Sequence, residues 1–149
     1  MAEVKLNVPV VAQKLEYSCW YAAACMVSYY YRAGPRQGLP QTWIANEGIS
    51  PGDLTKLAQV EGLLFLNSAS HEFTPASLIA TISKRGPIWA AGRWFKDPHA
   101  IVVTGADDKN DGTVYFNDPD QGVRKSDTIE WFNKRRMRGL MMVKDTKRS

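Results

Sequence analysis

Fourteen consecutive residues constrain this fold more than any other feature: Cys19-Trp20-Tyr21-Ala22-Ala23-Ala24-Cys25-Met26-Val27-Ser28-Tyr29-Tyr30-Tyr31-Arg32 carries one charge, at its far end. Alanine and methionine favour helix, and apolar side chains fall all round the helical wheel. A helix with no polar face has to be surrounded by the rest of its chain. Ser18 is placed to cap its start and Gly34 to end it. Cys19 is then its first residue.

The elements around it follow in order. Residues 6–12 are a short apolar stretch broken by Pro9, which reads as an edge strand or an extended lead-in. Residues 34–40 form a Gly/Pro loop, and 41–46 suit a short helix. Ser50-Pro51-Gly52-Asp53 is a helix-start signal, with Leu54, Leu57, Ala58 and Val60 facing inward and Gly62 stopping the helix. Residues 63–66 read as a short strand. Thr74-Pro75 opens a further helix, with Leu78, Ile79 and Ile82 inward and Gly86 just past its end. After Gly86 the texture changes. Residues 87–94, 99–106 and 113–117 are rich in Ile, Val, Trp, Tyr and Phe and read as strands. The polar run 107–112 turns the last two into an antiparallel hairpin. A capped helix is expected from Ser126 to about Lys134, and a last strand over 139–143. Helices first and strands second indicate an α+β fold with segregated layers. The 149 residues, 44% hydrophobic and 23% charged, fit one globular domain spanning 1–149.

Several function classes are disfavoured. No apolar run approaches the ~20 residues that cross a bilayer, and the N-terminus shows no basic stretch followed by a long apolar segment, so neither membrane nor signal peptide is expected. The net charge of +4 owes much to Lys134, Arg135, Arg136, Arg138, Lys144, Lys147 and Arg148. Without aromatic residues interleaved or a binding motif, this reads as a solvated surface and tail, and no nucleic-acid partner is expected. Cys19 and Cys25 stand six positions apart. On one helix that is ~9 Å along the axis, on different faces, beyond the ~7 Å within which a disulfide closes. Two free thiols suit a reducing compartment. The Cys and His spacings match no zinc motif, and neither a metal nor any other cofactor is expected.

The chemistry concentrates on four residues. A thiol at a helix N-terminus meets unsatisfied amides and the positive end of the dipole, which favour the nucleophilic thiolate. Cys19 has that position, whereas Cys25 lies deeper among apolar neighbours. A thiolate needs a base, and the chain has two histidines. His71 lies in a polar stretch, whereas His99 opens the strand Ala100-Ile101-Val102-Val103, where it can be held rigidly. Asp118, in Asn117-Asp118-Pro119, ends the partner strand. A hairpin turning around 107–112 brings it near His99, where it can fix the imidazole tautomer. Gln13, six positions before Cys19, can donate to a developing oxyanion together with the Cys19 backbone N–H.

Taken together, Gln13, Cys19-Trp20 opening a helix, His99 opening a strand and Asn117-Asp118-Pro119 in the next strand resemble the papain-like cysteine peptidases. The Gln-x₅-Cys spacing and the Cys-Trp pair are similar to papain itself. The compact size and the His-Ala-Ile-Val-Val strand resemble two bacterial branches, the double-glycine leader peptidases of bacteriocin systems and the effector or toxin proteases. The resemblance spans about residues 8–120. It implies a Cys-bearing central helix packed on a C-terminal antiparallel sheet, a Cys19-His99-Asp118 triad, Gln13 in the oxyanion hole and Trp20 in substrate binding. It also implies a protein substrate, a monomeric enzyme and, for a toxin, a cognate immunity or inhibitor protein. In the leader peptidases the cysteine is typically followed by Gly. Here it is followed by Trp20, which favours an effector or toxin acting in a target-cell cytoplasm. The same triad also serves transglutaminases and deamidases, since all pass through a thioester. A peptide-binding module on this fold is the non-enzymatic alternative.

Overall fold

The computed structural model describes residues 2–13, 19–31, 51–66 and 72–146. Ser18, Gly34, His71, the loop over 34–40 and the helix expected over 41–46 lie outside the described residues, as does the Val60 side chain. In chain order the elements are β1 (Glu3–Lys5), α1 (Cys19–Tyr31), α2 (Pro51–Glu61), β2 (Leu63–Phe65), α3 (Pro75–Arg85), β3 (Ile88–Gly92), β4 (His99–Asp107), β5 (Thr113–Asp118), β6 (Val123–Thr128), α4 (Ile129–Arg135) and β7 (Arg136–Lys144). The fold is α+β.

Among the described residues the strands form one antiparallel sheet of seven, in the order β2-β7-β3-β4-β5-β6. β4 is shared: β3 flanks His99 to Val103, while β1 flanks Gly105 to Asp107 on the same side. Both faces of the sheet are covered. On one side Ala23, Ala24, Val27 of α1 and Leu54, Leu57, Ala58 of α2 pack on Trp89, Ala100, Val102 and Met142. On the other, Leu78 and Ile82 of α3 and Ile129 and Phe132 of α4 pack on Ile88, Ala90, Ile101, Val103 and Met141. Successive residues of β3 and β4 thus enter opposite cores, which is why these strands are apolar without alternation. The sheet is therefore a middle layer with a core on each face.

The helix boundaries have local causes. The Thr74 hydroxyl accepts from the Ser77 amide and the Ser77 hydroxyl from the Thr74 amide, a reciprocal cap that starts α3. Gly62, at φ 65°, ends α2 in the left-handed region. α1 has buried residues all round, as its composition required.

Two boundaries differ from expectation. The first strand is Glu3–Lys5, earlier than the 6–12 stretch, which is the extended lead-in of its two readings and has no ladder pairing beyond the Leu6 amide to the Thr104 carbonyl, 2.8 Å. The helix expected from Ser126 starts at Ile129, capped by the Thr128 hydroxyl, which accepts from the Trp131 amide at 3.0 Å. Ser126 itself lies in β6, a strand whose six residues are all exposed. With neither face buried, β6 has no apolar alternation to announce it.

Candidate active site

Cys19 is the first residue of α1, His99 the first of β4 and Asp118 the last of β5. The first turn of α1 is tied to the sheet by the Trp89 indole N–H, which donates to the Trp20 carbonyl at 3.1 Å. The β4–β5 ladder begins at the Val102–Asn117 pair, so His99 and Asp118 stand just beyond its end. There the imidazole Nε2 of His99 lies 2.7 Å from Asp118 Oδ1, and the Cys19 thiol is within hydrogen-bonding reach of the same ring. With Nε2 committed to the carboxylate, Nδ1 is the nitrogen left for sulfur.

The His99 backbone is held as firmly as its ring. Its carbonyl accepts from the Trp94 indole N–H at 2.9 Å. Trp94 folds back over Gly92, the residue paired with His99 across the ladder. A methyl group on Gly92 would stand 2.5 Å from the indole ring and 2.7 Å from the Arg135 carbonyl. Below, Trp94 stacks on Phe132, ring centroids 5.3 Å apart.

Asp118 is fully buried. Oδ1 also accepts from the Asp120 amide at 3.0 Å, and Oδ2 accepts from Lys125 Nζ at 2.8 Å. Burial disfavours the carboxylate, but the bonds from His99, Lys125 and the Asp120 amide outweigh it and hold the group below its usual 3.8. Burial likewise disfavours a charged His99. Hydrogen bonds with Asp118 and Cys19, and the charge of each, prevail and push the imidazole up to about 9. At neutral pH His99 is an imidazolium on a carboxylate. That arrangement can pair with a thiolate and give a proton to a leaving group.

Gln13 approaches from the N-terminal segment, its backbone N–H donating to the Pro119 carbonyl at 2.8 Å, so it is anchored on the turn that follows Asp118. Trp20 is placed differently from the substrate-binding role implied for it. It is 3% exposed and belongs to the core between α1 and the sheet, so its ring offers a substrate almost no surface. Cys19 and Cys25 are both free, Cys25 buried. Among the described residues no group of three or more His, Cys, Asp or Glu could hold a metal ion, and no helix is long and apolar enough to cross a membrane.

Four residues with no role expected from the sequence complete the site: Lys125, Trp94, Gly92 and Asn117. The last is buried and its amide donates to the Val8 carbonyl at 3.2 Å, holding the segment that leads to Gln13. The signal for Lys125 was the short turn 119–122 after Asp118, which returns the chain as a strand.

A cysteine-bearing helix packed on an antiparallel sheet, with His and Asp at one end of a hairpin, defines a papain-like cysteine peptidase. The chain belongs to the family described as papain-like cysteine protease AvrRpt2, whose model matches residues 2–137. It is also similar in fold to a crystal structure of a double glycine motif protease from an AMS/PCAT transporter in complex with the leader peptide. That likeness has a TM-score of 0.61 at 19% sequence identity and covers 97% of each chain.

Proposed function

We propose that the chain, as one monomeric domain over 1–149, cleaves a specific protein substrate with Cys19 as nucleophile, His99 as base and acid, and Asp118 as the group that orients the imidazole. The observation that carries this reading is the 2.7 Å contact from His99 Nε2 to Asp118 Oδ1, on a ring that also meets the Cys19 thiol. The Cys19 thiolate, whose proton is held on His99 as the imidazolium, attacks the peptide carbonyl carbon. The oxyanion accepts from the Cys19 backbone N–H and the Gln13 amide. Protonated His99 gives its proton to the leaving amine as the C–N bond breaks, leaving a thioester on Cys19. Water, deprotonated by His99, then releases the acid and frees the thiol.

We infer the setting from the Cys19-Trp20 pair and the matching family: an effector or interbacterial toxin acting in a target-cell cytoplasm, with an immunity or inhibitor protein in a producer whose target is bacterial. A second reading, a peptidase that removes leader peptides, is favoured by the double glycine motif protease whose fold this chain shares over its length. Comparing protein termini in cells expressing the wild type and Cys19→Ala tests both. The expected result is a small set of new termini, present with wild type and lost in Cys19→Ala and His99→Ala. Termini that persist in Cys19→Ala would overturn the triad. Cleavage confined to precursors after a Gly-Gly pair would favour the second reading.

A further inference from the structure

Lys125 is the third charged group at the end of the sheet, and nothing above gives it a task. It sits on β6, where all six residues are exposed, yet its ammonium is 2.8 Å from the oxygen of a fully buried carboxylate. The register explains the reach. Lys125 pairs with Phe116, two residues before Asp118 and on the same face, so it stands diagonal to the carboxylate. The Phe95 ring covers it from the other side, with Nζ 4.3 Å from the centroid, and that ring lies 6.2 Å from the His99 ring.

We propose that Lys125 is a positioning residue of the peptidase site, clamped against Phe95 and holding Asp118 by Oδ2 so that Oδ1 stays turned toward His99. The inference rests on the triad reading. A carboxylate has two equivalent oxygens and a soft terminal torsion, so one bond to His99 does not fix its plane. Here the two oxygens are divided: Oδ1 takes the imidazole and the Asp120 amide, Oδ2 takes the lysine. An ordinary surface ion pair between mobile side chains does little. This one differs because its anion is buried and its cation rests on an aromatic face. The titratable groups on this chain of contacts are Cys19 from α1, His99 from β4, Asp118 from β5 and Lys125 from β6.

The sign of one measurement separates positioning from charge alone. Taking away a nearby positive charge without moving Asp118 would make protonation of His99 easier. Taking away the clamp lets the carboxylate turn, and His99 loses the bond that holds its proton. The ring protons of His99 can be titrated by NMR, since His71 is the one other histidine and His71→Ala assigns the signals. In Lys125→Met the His99 titration should move to lower pH by about one unit or more, the usual size for a lost partner. The kcat for a cleaved peptide should fall about 10–100-fold, as when a group supporting a site residue is removed, with KM little changed. Lys125→Arg should restore both. A titration that stays or moves upward, in a variant that melts like the wild type, would overturn the proposal. If instead His99→Ala retains turnover, the triad reading fails, while the NMR shift still reports whether Lys125 positions Asp118.

Discussion

Asparagine at position 118 would keep the size of the side chain and lose its charge. Its amide oxygen could still accept from His99 Nε2, so turnover should survive in part, whereas Asp118→Ala, which removes the acceptor, should cost about 10²–10⁴-fold in kcat. The more telling change is in pH dependence. In the wild type His99 is pushed up to about 9 by groups that include Asp118. In the proposed mechanism the leaving amine takes its proton from that imidazolium, so kcat/KM should decline as pH rises through about 9. Without the carboxylate charge, the alkaline limb of Asp118→Asn should lie at lower pH. A profile measured from neutral to alkaline pH checks this, and coincident limbs for the two proteins would show that Asp118 does not govern His99.

At the level of elements, the site depends on a strand pair that a single methyl group would spread. Gly92 faces His99 across the β3–β4 ladder, and an added Cβ would meet the Trp94 ring at 2.5 Å. Trp94 would then have to leave the His99 carbonyl. Gly92→Ala should therefore lower stability by about 1–3 kcal/mol, the usual cost of overpacking, and reduce kcat as His99 shifts. Urea unfolding with parallel kinetics checks both, and an unchanged kcat would mean that the indole does not hold the strand. The same elements show what could be read beforehand. The α1 run was legible because an apolar surface all round admits one environment. The meeting of His99 and Asp118 was legible because a hairpin turning at 107–112 forces it. β6 was not, because Val123-Arg124-Lys125-Ser126-Asp127-Thr128 is held by backbone pairing to β5 while all six residues stay exposed. Missing the strand concealed Lys125, since only the strand register brings it diagonal to Asp118. Trp20 misled for the opposite reason: its position beside Cys19 is a matter of sequence, and its burial a matter of the α1–sheet packing.

Across the whole molecule, the Asp118–His99 bond joins the end of β5 to the start of β4 and should mark stability as a function of pH. The signs differ for the two partners. Asp118 is held below 3.8 in the folded protein, so its contribution is present above that value and is lost as pH falls through the folded pKa. His99 is raised from 6.5, so its contribution is full below 6.5 and is lost as pH rises through the folded value. The two windows overlap between 3.8 and 6.5. The comparison is best made with Cys19→Ala against Cys19→Ala/Asp118→Asn, a background that removes the thiol beside the imidazole and prevents self-cleavage. In that background His99 keeps Asp118 as its support but loses Cys19, so the alkaline decline should finish below about 9. The difference in urea midpoint between the two proteins should peak in the overlap and shrink toward zero on the acid side. On the alkaline side it should shrink only partway, because the Asp118 carboxylate still accepts from Lys125 at Oδ2. A difference that is flat across this range would mean that the bond seen between β4 and β5 carries no charge in solution, and the reading of His99 as an imidazolium at neutral pH would go with it.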